Sequence, residues 1–266
     1  MNKISHMSFY ILCLLYVFLV FLVMNFKDMY YTLDFEDGPV ELLGALALLI
    51  TSIILWTTAV KRKKQIKNKD YKFWAYIGAG VLFFWAAGEE ISWGQHMLGT
   101  TTPDWLKAVN DQNETNLHNI NKKFFDRWLE RMTFLLAVTT SILHLRGKDR
   151  LFGFKMPLNS LCLAFLLLPI YRKLGDWNQD VWPIGYLFFI IYPFLAIRNK
   201  NKTLALQCFC FCLTTFIVWY FHHHNWHHLF GDGGNILHEI RETCFALLCI
   251  AFSSCLYLDE NQNIKT

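Results

Sequence analysis

FWAYIGAGVLFFWAAGEEISWGQH, residues 73–96, begins as a membrane segment and ends as a polar site. Its first sixteen residues carry no charge; Glu89 and Glu90 then stand side by side. At 1.5 Å per residue those sixteen positions cover about 24 Å of a hydrocarbon layer about 30 Å thick. The acid pair is therefore expected about one helical turn below the membrane surface. An ionised group there costs a few kcal/mol, and two adjacent acids repel, so the pair requires a cation, a proton or strong donors nearby.

Seven further apolar runs surround this one, at 8–26, 39–60, 131–145, 157–172, 182–197, 203–221 and 236–258. The short run 131–145 is expected to extend upstream through FFDRWLER. The first run is too long for a signal-peptide core and lacks a small-residue cleavage site, so it is expected to be retained. Of the 266 residues 54% are hydrophobic and 17% charged, where a soluble domain has about a quarter charged. The same numbers exclude intrinsic disorder. The expected fold is all-α: a polytopic transmembrane bundle of about eight spans, forming a single domain over 1–266, with no internal repeat.

Lysine and arginine set the orientation. Taking the side of KRKKQIKNK (61–69) as inside, the inner segments 1–7, 61–72, 146–156, 198–202 and 259–266 hold 16 of the 25 basic residues and only 4 of the 21 acids. Both termini are then inside. Eight of the ten histidines fall towards the outside; His6 and His144 do not. All eight cysteines lie within spans and form no metal-binding or disulfide pattern, so they read as small packing residues. Basic residues are too few, and too poor in neighbouring aromatics, for nucleic-acid binding. Membrane lipids are the expected partners.

The remaining polar residues gather at the outer side. In NILHEIRETCFALL (235–248), His238, Glu239 and Glu242 reach the depth of Glu89 and Glu90. His238 and Glu242 share one helix face, a spacing that can hold a divalent metal such as zinc. Arg241 beside them could neutralise an acid. In FEDGPVELL (35–43), Pro39 suits a first helical turn, and Asp37 and Glu41 suit capping and the helix dipole. The outer connection 94–130 is long for this chain, and Trp105, Phe124, Phe125 and Trp128 suggest that it lies in the interface. It offers Gln95, Asn116, His118 and Asn119 as donors and ligands. Arg172 and Asp176 follow the fifth span and could seat an anionic head group. His224, His227 and His228 fit one H-x-x-H-H box of membrane di-iron oxygenases, which need about eight histidines on the cytoplasmic side.

The strings GEEISWGQ (88–95), ETNLHN (114–119) and EDGPVE (36–41), with the acidic start of the last helix, resemble a group of uncharacterised bacterial multi-pass inner-membrane proteins. That resemblance implies an inner-membrane location and brings no activity. The chain also has a distant likeness to alkaline-ceramidase-type membrane hydrolases, which implies roles for Ser92, His118, His238 and Asp176 in zinc-dependent hydrolysis. The adjacent Glu89 and Glu90 are similar to the acid pair of intramembrane CAAX-type proteases, with Gly94 where that pattern carries arginine.

Three functions follow as expectations. The first is a membrane-embedded, metal-dependent hydrolase or transferase taking a lipid or lipid-linked substrate from the outer leaflet. In it Glu89, Glu90, Glu239 and Ser92 act in catalysis, His118, His238 and Glu242 bind the metal, and Gln95, Asn116, Asn119, Arg172 and Asp176 bind substrate. The second is a proton- or cation-coupled transporter, against which stands the lack of polar residues continuing inward. The third is an assembly or sensor protein whose polar cluster locks helices together.

Overall fold

The computed structural model describes residues 2–25, 39–65, 70–110, 113–117, 120–173, 182–229 and 235–263. The chain is mostly helical. Its long helices are α1 (Asn2–Asn25), α2 (Pro39–Gln65), α3 (Tyr71–Glu90), α6 (Lys122–Leu145), α7 (Asn159–Lys173), α8 (Trp182–Arg198), α9 (Lys202–Leu229) and α10 (Asn235–Asn263). Each coincides with one of the eight apolar runs, and α6 takes in FFDRWLER. Two one-turn helices, α4 (Gln95–Leu98) and α5 (Asp104–Lys107), lie in the 94–130 connection. A small antiparallel hairpin pairs Arg150 with Lys155 and Leu151 with Phe154. The segment HHHNWHH (222–228), expected to follow a span, instead continues α9.

The helices form two compact units, each drawn from separated stretches of chain. One comprises 1–31 and 130–237, the other 32–129 and 238–266. Within the described residues, Pro39–Lys64 and Glu242–Gln262 are long and apolar enough to cross a membrane.

In the first unit, α1, α7, α8 and α9 pack on one another. Every residue from Leu161 to Leu167 is buried, so α7 is apolar all round and central, as expected of a helix enclosed by neighbours. Phe9, Tyr192, Leu195 and Phe211 pack in the same unit, each almost wholly buried. The outer faces of its helices expose Ile11, Leu14, Phe18, Ile190, Phe194, Phe209 and Phe216.

In the second unit, α2 and α3 form a tight pair and α10 packs with both. Small residues make the contact: Ala47 and Leu48 meet Ala87 and Ala246. Close backbone approach through small side chains is how helices associate without a hydrophobic drive from water. Gly80 is the tightest point; a Cβ there would stand 2.4 Å from the Trp56 indole. Ser52 Oγ donates to the Gly80 carbonyl at 2.8 Å across the same seam. The outward faces again carry large apolar side chains, including Leu42, Leu46, Ile53, Trp74, Leu82 and Trp85. These outward apolar side chains suit a lipid surround.

Candidate functional site

Both ends of the second unit are polar. Asp70 N-caps α3, accepting from the Phe73 amide at 3.1 Å. It also takes the Arg62 guanidinium, with Nε 3.0 and 3.1 Å from its two oxygens. Arg62 reaches on to Glu260 near the end of α10. Glu260 further accepts from Tyr76 OH at 3.0 Å and lies 3.3 Å from Lys72 Nζ. Lys61 donates to Tyr257 OH and sits 4.0 Å from its ring centroid. Lys61 and Arg62, from the basic stretch expected to set topology and touch anionic lipid, thus stand in the last turns of α2 and tie three helix ends together. The Arg62 hydrogen bonds hold the Asp70 carboxyl below its ordinary pKa.

At the far end of α3, twenty residues and about 30 Å away, lies the second polar layer. Helix α3 stops at Glu90, and the backbone turns through three successive left-handed residues: Ser92 (φ 46°), Trp93 (φ 56°) and Gly94 (φ 77°). Only the third is glycine, so the turn holds backbone strain at Ser92 and Trp93. It folds the Trp93 ring back over Gly88, where a Cβ would stand 2.7 Å from the indole. Trp93 Nε1 then donates to Glu89 Oε1 at 2.9 Å. The other Glu89 oxygen accepts from the Leu117 amide at 2.6 Å. The carboxylate, 7% exposed, is thus met by two donors of the protein itself.

The same turn delivers Ser92 to the ETN segment. Ser92 Oγ donates to Glu114 Oε2 at 2.9 Å and accepts from Asn116 Nδ2 at 2.9 Å. Asn116 Nδ2 also donates to Glu114 Oε2 at 2.6 Å. Asn110 fixes the Asn116 amide from behind, Nδ2 to Oδ1 at 3.0 Å, and receives the Glu114 amide on its own Oδ1 at 3.2 Å. His96 Nε2 stands 3.9 Å from the other Glu114 oxygen, Oε1. Gln95 donates to Thr102 at 2.8 Å and accepts the Thr115 amide at 2.5 Å. The rim is apolar and exposed: Trp93, Met97, Leu98, Trp105 and Val109.

Of the residues singled out in the sequence, Glu89, Ser92, Gln95 and Asn116 therefore meet. Glu90 faces another way. Its Oε1 and the hydroxyl of Thr243 both come within 3.3 Å of where a Cβ would stand at Gly44, at the meeting of α2, α3 and α10. Thr243 Oγ1 donates to the Val40 carbonyl at 2.9 Å. Glu242, next along α10, is half-buried. Acids from α3 and α10 thus come to one end of the unit, although Glu89 and Glu90 serve separate contacts. His118, Asn119 and Asp176 lie outside the described residues. His238, Glu239, Arg241 and Arg172 lie on helices whose side chains at those positions are outside them too. Among the described residues, no three metal-ligating side chains of His, Cys, Asp or Glu gather.

Sequence reasoning missed Glu114, Asn110, Thr102 and His96. Asn113-Glu114-Thr115 reads as a glycosylation acceptor, which hides the carboxylate beneath a commoner motif. No family model matches this chain, and neither a curated protein nor a solved structure matches it.

Proposed function

We propose that this chain is a membrane-embedded hydrolase or transferase that acts at the outer lipid–water boundary on a lipid or lipid-linked substrate. The observation that carries this reading is the relay Ser92–Glu114–His96, a hydroxyl on strained backbone bonded at 2.9 Å to a carboxylate that an imidazole flanks. Strained backbone concentrates at reactive positions. A carboxylate in hydrogen-bond reach of a hydroxyl can act as its general base.

In this reading Glu114 takes the Ser92 proton as Oγ attacks a carbonyl or phosphoryl centre. Asn116 Nδ2 stays on the serine oxygen and moderates its developing charge. The proton passes from Glu114 to the leaving alcohol, and water or a second alcohol then cleaves the ester formed on Ser92. His96 supports the Glu114 charge when protonated. Glu89 positions the ETN segment through Leu117. The apolar rim of Trp93, Met97 and Leu98 suits an acyl chain.

An eight-span topology in the bacterial inner membrane, with both termini inside, belongs to this proposal. The charged layers about 30 Å apart on α3 support it. A divalent metal on His238 and Glu242 belongs to the wider proposal. Metal analysis of purified wild type and His238→Ala tests that part; equal content in both removes it.

A second reading is favoured by the burial of Ser92, which is only 2% exposed: the cluster locks the outer connection onto α3 and has no turnover. A fluorophosphonate probe separates the two. Labelling of wild type that is lost in Ser92→Ala and Glu114→Gln supports the enzyme. Unlabelled wild type, with both variants melting at lower temperature, supports the lock.

A further inference from the structure

The first unit contains a cavity of about 120 Å³, apart from the Ser92 cluster. His6 on α1, Asn159 and Ser160 at the start of α7, and Gln207 early on α9 line it, with His144 from the end of α6. The starts of α1, α7 and α9 therefore come together here. Asn201, exposed, stands at its margin. Two polar atoms in the lining lack a partner among the described residues: Ser160 Oγ and Gln207 Oε1. Ser160 is 1% exposed and Gln207 is 0% exposed. Buried polar atoms are satisfied in almost all native proteins, so these two ask for a bound group.

The lining states what that group must offer. His144 Nδ1 lies 2.5 Å from the acceptor Asn159 Oδ1, so this nitrogen donates to it. Gln207 Nε2 donates to His6 Nδ1 at 2.8 Å, so His6 keeps a donor at Nε2. The Gln207 amide also interacts with the Tyr10 hydroxyl. Ser160 can both give and take a hydrogen bond, and Gln207 Oε1 only takes one. Among the described residues the lining holds no Lys, Arg, Asp or Glu, so an ionised guest would find no counter-charge. Leu158 and Leu204 supply apolar contact for C–H faces. An apolar cavity of about 150 Å³ holds benzene, so this one, of about 120 Å³, suits about five to six non-hydrogen atoms.

We propose that this cavity binds a small uncharged polyhydroxyl group of the size of glycerol, held between Ser160 and Gln207. Hydroxyls fit because each one donates and accepts, as the mixed lining requires. The group can come from a free polyol or from the terminal glycerol of a phospholipid head.

Saturation-transfer NMR on the full-length protein in detergent tests this with glycerol as the probe. Wild type transfers saturation to glycerol. Ser160→Ala and Gln207→Leu each weaken binding about fivefold, the loss of one neutral hydrogen bond. Ser160→Thr, which keeps a hydroxyl, retains it. Lower transfer to added glycerol in nanodiscs of phosphatidylglycerol than of phosphatidylcholine identifies the lipid head as the source, and equal transfer identifies a free polyol. The proposal is overturned if wild type transfers nothing to glycerol. It is also overturned if Ser160→Ala and Gln207→Leu both match wild type, or if only inorganic phosphate and glycerol 3-phosphate bind.

Discussion

Glu89 illustrates how a buried carboxylate can be held at the end of an apolar helix. Its two oxygens take the Trp93 indole and the Leu117 amide, so each donor would lose its acceptor together in Glu89→Ala. An unsatisfied buried donor costs about 1–3 kcal/mol. Glu89→Ala should therefore destabilise the protein by about 2 kcal/mol or more, read by reversible unfolding in mixed micelles. Glu89→Gln, which keeps one carbonyl acceptor, should lose less. Equal losses in the two variants would show that charge, not hydrogen bonding, secures the position. Gly80 acts by absence. A methyl group 2.4 Å from Trp56 must displace the indole, and overpacking of this kind costs about 1–3 kcal/mol. Gly80→Ala should lower the melting temperature, and adding Trp56→Phe should recover part of the loss.

At the scale of elements, the cap of α3 gives a pH dependence. Asp70 is held ionised by Arg62, so its folded pKa lies below its ordinary value. The stability it contributes is complete above that ordinary value, near pH 4, and is lost as pH falls through the lowered one. Melting temperature should be insensitive to Asp70 between about pH 7 and 5, then decline more steeply in wild type than in Asp70→Asn. Parallel curves below pH 4 would dismiss the Arg62–Asp70 pair as a stabilising contact. The elements themselves were legible: apolar length placed all eight long helices, and Pro39 marked the start of α2. What joins them was not. Arg62 and Glu260 are 198 positions apart, and nothing local in KRKKQIKNK announces that partner. The turn at Ser92 was hidden for a different reason. Ser92 and Trp93 take left-handed backbone without being glycine, which tertiary hydrogen bonds impose and local propensity opposes. Ser92 and Gln95 were found because they are polar beside an apolar span, and Asn116 because it stands among donors in a long connection; Glu114 was not, since Asn113-Glu114-Thr115 reads as a glycosylation acceptor.

For the whole molecule, the separation of charged layers makes a topological prediction. Lys64 and Trp105 belong to the same unit and stand at its opposite polar ends. Single cysteines placed at Lys64 and at Trp105, in a background freed of exposed Cys212, should react with an impermeant maleimide from opposite sides of sealed vesicles. Reaction of both from one side would overturn the spanning arrangement of α2 and α3.

The interleaving of the two units also dictates an order of manufacture. Helix α1 finds its partners α7 and α9 more than a hundred residues later, and the α2–α3 pair likewise waits for α10. Both units stay unfinished while the chain grows, and the apolar faces of α1 must find temporary cover until α9 appears. A ribosome stalled before α10 would release a product with its first unit closed and its second still open, a natural substrate for quality-control proteases.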